Sequence, residues 1–214
     1  MTGTRSAANR SRYVGRMVLD IPAGDFAAYL FDLDGTLIDS MPVHLRAWSI
    51  AMQHAGLRQT FDADYFYALG GVPTFESAEL YGKRYGLALD PHQVVEEKEQ
   101  LYLTLLSEVR VIEPVATFAR QVAATHPVAI VTGGGPEIAY PALEATGLRD
   151  IFPVVITPAD VPHGRGKPAP DMFLLAASRL GVPATKCLVF EDAVPGIEAA
   201  LAAGMQVVRV PREG

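Results

Sequence analysis

The 214-residue chain is 50% hydrophobic and 20% charged, carries a net charge of −6 and has one cysteine, Cys187. A chain of this length makes one or two domains and buries about 70% of its unfolded surface, so no covalent staple is needed. The single cysteine excludes a disulfide framework and a Cys-built zinc site. The acidic balance argues against a nucleic-acid binder, and no apolar run reaches the roughly 18 residues of a membrane span. A cytoplasmic globular enzyme or binding domain is expected.

Residues 1–16 hold Arg5, Arg10, Arg12 and Arg16 and no acid. The composition resembles a transit peptide, but it has no amphipathic period. A disordered tail, or an extension ahead of a start at Met17, is expected. Ala28–Phe31 then reads as a short buried strand. The next stretch is helical in pattern, with Val43–Leu57 and Thr74–Tyr85 as two helices. Asp90-Pro91-His92-Gln93 reads as an N-cap with Gln at the third position. Val94, Val95, Leu101, Tyr102, Leu105, Leu106 and Val109 follow at spacings of three and four.

Val128–Val131, Val154–Ile156, Leu188–Phe190 and Gln206–Val210 read as further strands. Between and around them lie helices at Pro114–Thr125, Pro136–Thr146, Pro170–Leu180 and Pro195–Ala203. Each opens on proline, which suits a first turn, and Gly147, Gly181 and Gly204 stand where three of them should stop. Strands alternating with helices imply an α/β fold with a Rossmann-like parallel sheet. The core spans residues 17–40 and 109–214, with a helical module at 41–108 inserted after the first strand.

In such sheets ligands bind at the carboxyl ends of the strands, and there the polar residues collect. The first strand runs into Asp32-Leu33-Asp34-Gly35-Thr36, where an extended backbone turns Asp32 and Asp34 to one face. The second runs into Thr132-Gly133-Gly134-Gly135, whose hydroxyl and amides precede a helix N-terminus and suit an anion. Gly164-Arg165-Gly166-Lys167 supplies a cation, and Glu191-Asp192 ends the fourth strand. Taken alone, each piece has a plainer reading: a solvated turn, a flexible connection, a surface lysine, or an N-cap by Asp192. Their convergence on one edge of one sheet favours a site. Four carboxylates brought together repel by about 4 kcal/mol per close pair at an effective dielectric of 20. Oxygen donors without His or Cys suit Mg²⁺. A carboxylate, a hard metal and an anion cradle are the parts for phosphoryl transfer.

Asp32-Leu33-Asp34-Gly35-Thr36-Leu37, Thr132, Lys167 and Glu191-Asp192 resemble, in order and spacing, the four motifs of the haloacid dehalogenase superfamily. Asp39-Ser40-Met41-Pro42-Val43-His44 and Lys167-Pro168-Ala169-Pro170-Asp171 are similar to its β-phosphoglucomutase-like group. Leu69-Gly70-Gly71-Val72-Pro73-Thr74 and Leu89-Asp90-Pro91-His92 resemble the fructose-1-phosphate phosphatase-like branch. The resemblance makes the helical module an α-helical cap and implies a Mg²⁺-dependent phosphatase of a small sugar phosphate.

The implied nucleophile is Asp32, forming an aspartyl-phosphate. Asp34 would protonate the leaving alkoxide and later deprotonate water, its pKa raised by the acids around it. Thr132, Gly133 and Lys167 would hold the phosphoryl oxygens. Mg²⁺ would take Asp32, the backbone carbonyl of Asp34, and Asp192, with Glu191 acting through water or Lys167. A phosphomutase and a phosphoglycolate-type phosphatase are the alternatives within the family, and a non-catalytic binding module the alternative outside it. Gly71-Val72-Pro73-Thr74 has no arginine for a second phosphate, which favours hydrolysis. A monomer acting on a small phosphorylated metabolite, without nucleic acid or membrane, is expected. His44 reads either as a hinge or substrate contact or as a packed histidine. Trp48 reads as core, His163 and Arg165 as loop residues, and Cys187 as inert.

Overall fold

The computed structural model describes residues 10–14, 17–70 and 72–211. Five parallel strands form the central sheet: β3 (Ala28–Phe31), β6 (Val128–Val131), β7 (Val154–Ile156), β8 (Cys187–Glu191) and β9 (Gln206–Arg209), in the order β7-β6-β3-β8-β9. All five coincide with expected strands to within a residue or two. Period-two alternation gives the sheet two apolar faces. Ala28 and Leu30 pack with Val189, Phe173 and Ala176 on one side, while Phe31 packs with Ile130, Phe190 and Phe118 on the other.

The helices covering the two faces are α5 (Glu113–Ala123) and α6 (Pro136–Ala145) on the Phe31 side, and α7 (Asp171–Leu180) and α8 (Val194–Ala202) on the Leu30 side. Their starts follow proline only approximately: Pro136 opens α6, but Pro170 lies just ahead of α7. Gly181 closes α7 with φ +69°, a left-handed conformation that glycine adopts without steric cost.

Four helices lie between the first strand of the sheet and α5: α1 (Met41–His54), α2 (Ala63–Ala68), α3 (Thr74–Tyr85) and α4 (Pro91–Thr104). They enclose a separate apolar cluster of Trp48, Met52, Phe61, Phe66, Tyr81 and Val94. Asp90 caps α4 through a 3.0 Å bond from the His92 amide, as its sequence implies. Two short strands, β4 (Ile38–Asp39) and β5 (Arg110–Val111), pair antiparallel and tie together the two chain segments that enter and leave this module. Neither is visible as a strand in the sequence, because two residues carry no period.

A further difference lies ahead of the core. Arg10–Val14 (β1), expected within a disordered tail, pairs antiparallel with Met17–Ile21 (β2). Met17 and Leu19 are buried in the same cluster as Val208 and Val210, so β2 is anchored and its backbone offers β1 a pairing edge. Backbone pairing needs no apolar side chain, and the Arg- and Ser-rich composition therefore misled. The rest of the expected tail, residues 1–9, 15 and 16, lies outside the described residues. Among the described residues no helix is long and apolar enough to cross a membrane.

The Phe31 face sets the position of the site. Phe31 stacks on Phe190 at 4.8 Å and 16° and meets Phe152 edge-on at 5.7 Å. Phe31 is paired in register with Phe190 on one side and Ile130 on the other, so β3, β6 and β8 end nearly level. Replacing Phe190 with alanine should lower unfolding free energy by about 3–5 kcal/mol, measured by urea denaturation. A loss below about 1 kcal/mol would show that the rings do not register the strands.

Candidate active site

The ladder carries the chain one rung beyond β3. The Asp32 amide donates to Phe190 O at 3.0 Å, and the Thr132 amide donates to Ile156 O at 3.0 Å. Asp32 and Thr132 thus leave the sheet at one edge, with Glu191 and Asp192 beside them. All four are buried.

Lys167 reaches this edge from the loop ahead of α7. Its Nζ donates to Asp32 Oδ1 and to Glu191 Oε1, both at 2.7 Å. Glu191 also accepts the Ala193 amide at 2.7 Å through its second oxygen. Glu191, rather than Asp192, therefore occupies the amide ahead of α8, and Asp192 instead accepts the Thr36 hydroxyl at 3.2 Å.

Two glycines make the cluster possible. A Cβ on Gly196 would lie 1.6 Å from Glu191 Oε1. One on Gly35, whose φ is +84°, would lie 2.7 Å from Asp192 Oδ2. Both carboxylates rest against bare backbone.

One oxygen each from Asp32, Glu191 and Asp192 lies within 4.8 Å of the others. Burial and the neighbouring Glu191, Asp192 and Asp34 raise the Asp32 pKa well above the ordinary carboxylate range, although Lys167 opposes them. Burial works against the charge on Lys167, but Asp32 and Glu191 outweigh it and raise its pKa. Three buried carboxylates and one ammonium leave a formal charge of −2. An all-oxygen donor set with that deficit fits a hard divalent cation.

Asp34 has separate partners. Oδ1 accepts the Ser40 hydroxyl at 2.6 Å and faces His44 Nε2 at 3.5 Å, and Oδ2 accepts the Thr132 hydroxyl at 3.4 Å. Ser40 stands at the N-terminus of α1 but makes no side-chain bond to the helix amides. Burial acts to raise the Asp34 pKa, but His44, Ser40 and the charge of Lys98 prevail and lower it. This corrects the expectation that surrounding acids raise Asp34: the carboxylates cluster on Asp32, and donors surround Asp34. The Asp34 carboxylate is not one of the three clustered acids. The Gly134 amide, expected as a free donor, is bonded to Thr132 Oγ1 at 3.0 Å; Gly133 stands beside it with open space where a Cβ would be.

His44 is a packed histidine, stacked on Tyr102 at 4.0 Å and 6°, with its Nε2 3.5 Å from Asp34 Oδ1. Trp48 is core, edge-on to Tyr81 at 5.0 Å. Arg165 is exposed and pairs with Asp171 at 2.8 Å. Burial pushes the Cys187 thiol up to about 11, which leaves it unreactive. Lys98 does not stand out in the sequence as a functional residue. Its signal was a lysine inside the apolar stripe of α4, four residues after Val94 and four before Tyr102.

The model of haloacid dehalogenase-like hydrolases matches residues 26–204. The chain belongs to this family. It is 39% identical over 185 residues to fructose-1-phosphate phosphatase YqaB of Escherichia coli, covering 86% of this chain and 96% of that protein. It is 32% identical over 184 residues to hexitol phosphatase A of the same organism, covering 85% and 82%. The solved structure of CbbY from Rhodobacter sphaeroides in complex with phosphate superposes with a TM-score of 0.74 at 23% identity, covering 85% and 84%. That likeness concerns the fold.

Within this family member, Gly196→Ala should displace Glu191 and loosen its bonds to Lys167 and Ala193. The expected cost is about 1–3 kcal/mol of stability together with loss of hydrolase activity. Thermal melting and turnover that both match the parent would contradict the close approach.

Proposed function

We propose that the protein is a Mg²⁺-dependent phosphatase of a small sugar monophosphate, working through an aspartyl-phosphate on Asp32. The observation that carries this reading is the pairing of two neighbouring carboxylates with opposite environments. Asp32 stands among acids and Lys167, while Asp34 stands among donors. Two such groups suit a nucleophile and an acid–base. The 39% identity to a fructose-1-phosphate phosphatase supports the substrate class.

Bound at Asp32, Asp192 and the Asp34 backbone carbonyl, Mg²⁺ would neutralise the acids and the incoming phosphate. Asp32 then stays ionised and needs no base to attack phosphorus. Lys167 and Thr132 hold the phosphoryl oxygens, with Gly133 offering backbone approach. Asp34 protonates the departing alkoxide; a phosphate dianion arriving beside it raises its pKa and lets it carry that proton. In the second half-reaction Asp34, ionised again and oriented by Ser40 and His44, takes a proton from the water that attacks the aspartyl-phosphate. The helical module of residues 41–108 acts as a cap over this edge, with the β4–β5 ribbon at its base.

A mutase needs a firm hold on a second phosphate. Pro73 and Thr74 bring no cation; the next cations along the chain are Lys83 and Arg84, and Arg84 is already paired with Asp62 and laid over the Tyr65 ring. Hydrolysis is the better fit.

Asp32→Asn should abolish phosphate release while leaving the circular dichroism spectrum unchanged. Multi-turnover activity in that variant, checked for deamidation, would refute the nucleophile. Saturating Mg²⁺ should raise the melting temperature of EDTA-treated protein by about 5–10 °C, and Asp192→Asn should remove most of that shift. A phosphate-release screen of fructose-1-phosphate, hexitol phosphates, glycerol-3-phosphate and phosphoglycolate tests the substrate class. Conversion of β-glucose-1-phosphate to glucose-6-phosphate would point to the mutase instead.

A further inference from the structure

A cavity of about 390 Å³ lies between α3 and α4 of the helical module and α6 of the core, with Phe75, His92, Glu96, Glu99, Glu137 and Ile138 in its walls. It adjoins the acidic edge of the sheet. A Cβ built on Gly134 would lie 3.9 Å from Ile138 Cγ2 and 3.8 Å from Asp34 Oδ2. A group released at Asp34 therefore borders on this space, which is of a size to hold a small ligand. The polar lining is negative. Glu137 folds back over Gly135, where an added Cβ would collide with its Oε1, and its place in the first turn of α6 favours the ionised form. Glu99 faces it from α4: burial and the charge of Glu137 raise the Glu99 pKa against the pull of Lys98. Glu96 is exposed. Phe75 and His92, 4.6 Å apart, supply an aromatic wall. Among the described residues that line the cavity there is no lysine or arginine. Lys98, the residue before Glu99, lies over the Trp48 and Tyr102 rings and is not part of these walls.

We propose that Glu99 and Glu137 are specificity residues that receive the uncharged, hydroxyl-bearing part of the leaving group and reject esters carrying a second negative charge, a carboxylate or another phosphate. The assignment rests on the phosphatase reading and deepens it. An ionised carboxylate only accepts hydrogen bonds, so it pairs with a hydroxyl, whereas a carboxylate on the substrate offers it no proton. Like charges also repel across the cleft, more strongly than in open water because Glu99 is partly withdrawn from solvent. Lys167 answers for the reacting phosphate, and no cation in the cavity walls answers for a second anion.

The experiment compares two pairs of esters whose members differ by oxidation of the terminal carbon to a carboxylate: glycerol-3-phosphate with 3-phosphoglycerate, and glucose-6-phosphate with 6-phosphogluconate. Each is measured as a substrate or, where turnover is too slow, as a competitive inhibitor of p-nitrophenyl phosphate hydrolysis. The parent protein should favour the neutral member of each pair by about 10-fold or more in kcat/KM or inhibition constant. Glu99→Gln combined with Glu137→Gln should reduce that preference about 10-fold, with the gain on the acidic ester. Glu144→Gln, which removes an exposed charge of α6 outside the cavity, should leave the preference as it is. Equal handling of both members by the parent would overturn the assignment. So would a preference that the double variant keeps, including the case in which both activities fall together. A matching loss of preference in Glu144→Gln would trace it to the overall charge of the protein and overturn the assignment as well. Failure of the phosphatase reading is a separate result, a parent protein that releases phosphate from no ester tested, p-nitrophenyl phosphate included, and it takes this inference with it.

Discussion

The paired hydrogen bonds of Lys167 to Asp32 and Glu191 hold the acidic edge of the sheet together. Its ammonium is bonded at 2.7 Å to both Asp32 and Glu191, residues that arrive on two adjacent strands. Without that charge three buried carboxylates would face one another, each close pair costing about 4 kcal/mol at an effective dielectric of 20. One lysine relieves part of the repulsion and leaves the rest. The remaining deficit raises the Asp32 pKa and suits a divalent cation. A cation held by the same carboxylates would offset the charge that makes the bare cluster unfavourable. The surrounding structure serves this cluster: level strand ends deliver the acids, and Gly35 and Gly196 withhold the side chains that would block them.

Asp34 shows how two residues in one short motif come to have different surroundings. Asp32 and Asp34 are separated by one leucine, yet one is held by Lys167 and the other by Ser40, His44 and Thr132. The turn at Gly35 and the start of α1 at Met41 return the chain so that Ser40 and His44 meet the second carboxylate. The helical module is thereby connected to the chemistry through hydrogen-bonding side chains at its own base. Trp48, Tyr102 and Lys98 extend that connection inward, along the seam between α1 and α4.

Much of the sheet was legible because buried parallel strands announce themselves as short apolar runs: Ala28–Phe31, Val128–Val131 and Val154–Ile156 match residue for residue. The β4–β5 ribbon and α2 were not, being too short to show a period. The strand Arg10–Val14 was hidden by its composition. At the site, Asp32, Asp34, Thr132, Lys167, Glu191 and Asp192 were legible because each follows an apolar run or a glycine-rich loop. Ser40 was seen only as part of a motif, and Lys98 only as a break in an apolar stripe.

The sequence by itself determined which groups stand at the carboxyl edge of the sheet, since a residue that ends a buried strand is placed by its own strand. It also determined that the groups are oxygen donors and a cation, and so the kind of chemistry. Tertiary structure alone decided who faces whom. Lys167 and Asp32 are 135 positions apart, and no local pattern specifies that Lys167 bridges to Glu191, or that Asp34 meets donors and not the other acids. That choice set the opposite pKa directions of Asp32 and Asp34, because electrostatic interactions depend on distance and desolvation, which only packing creates.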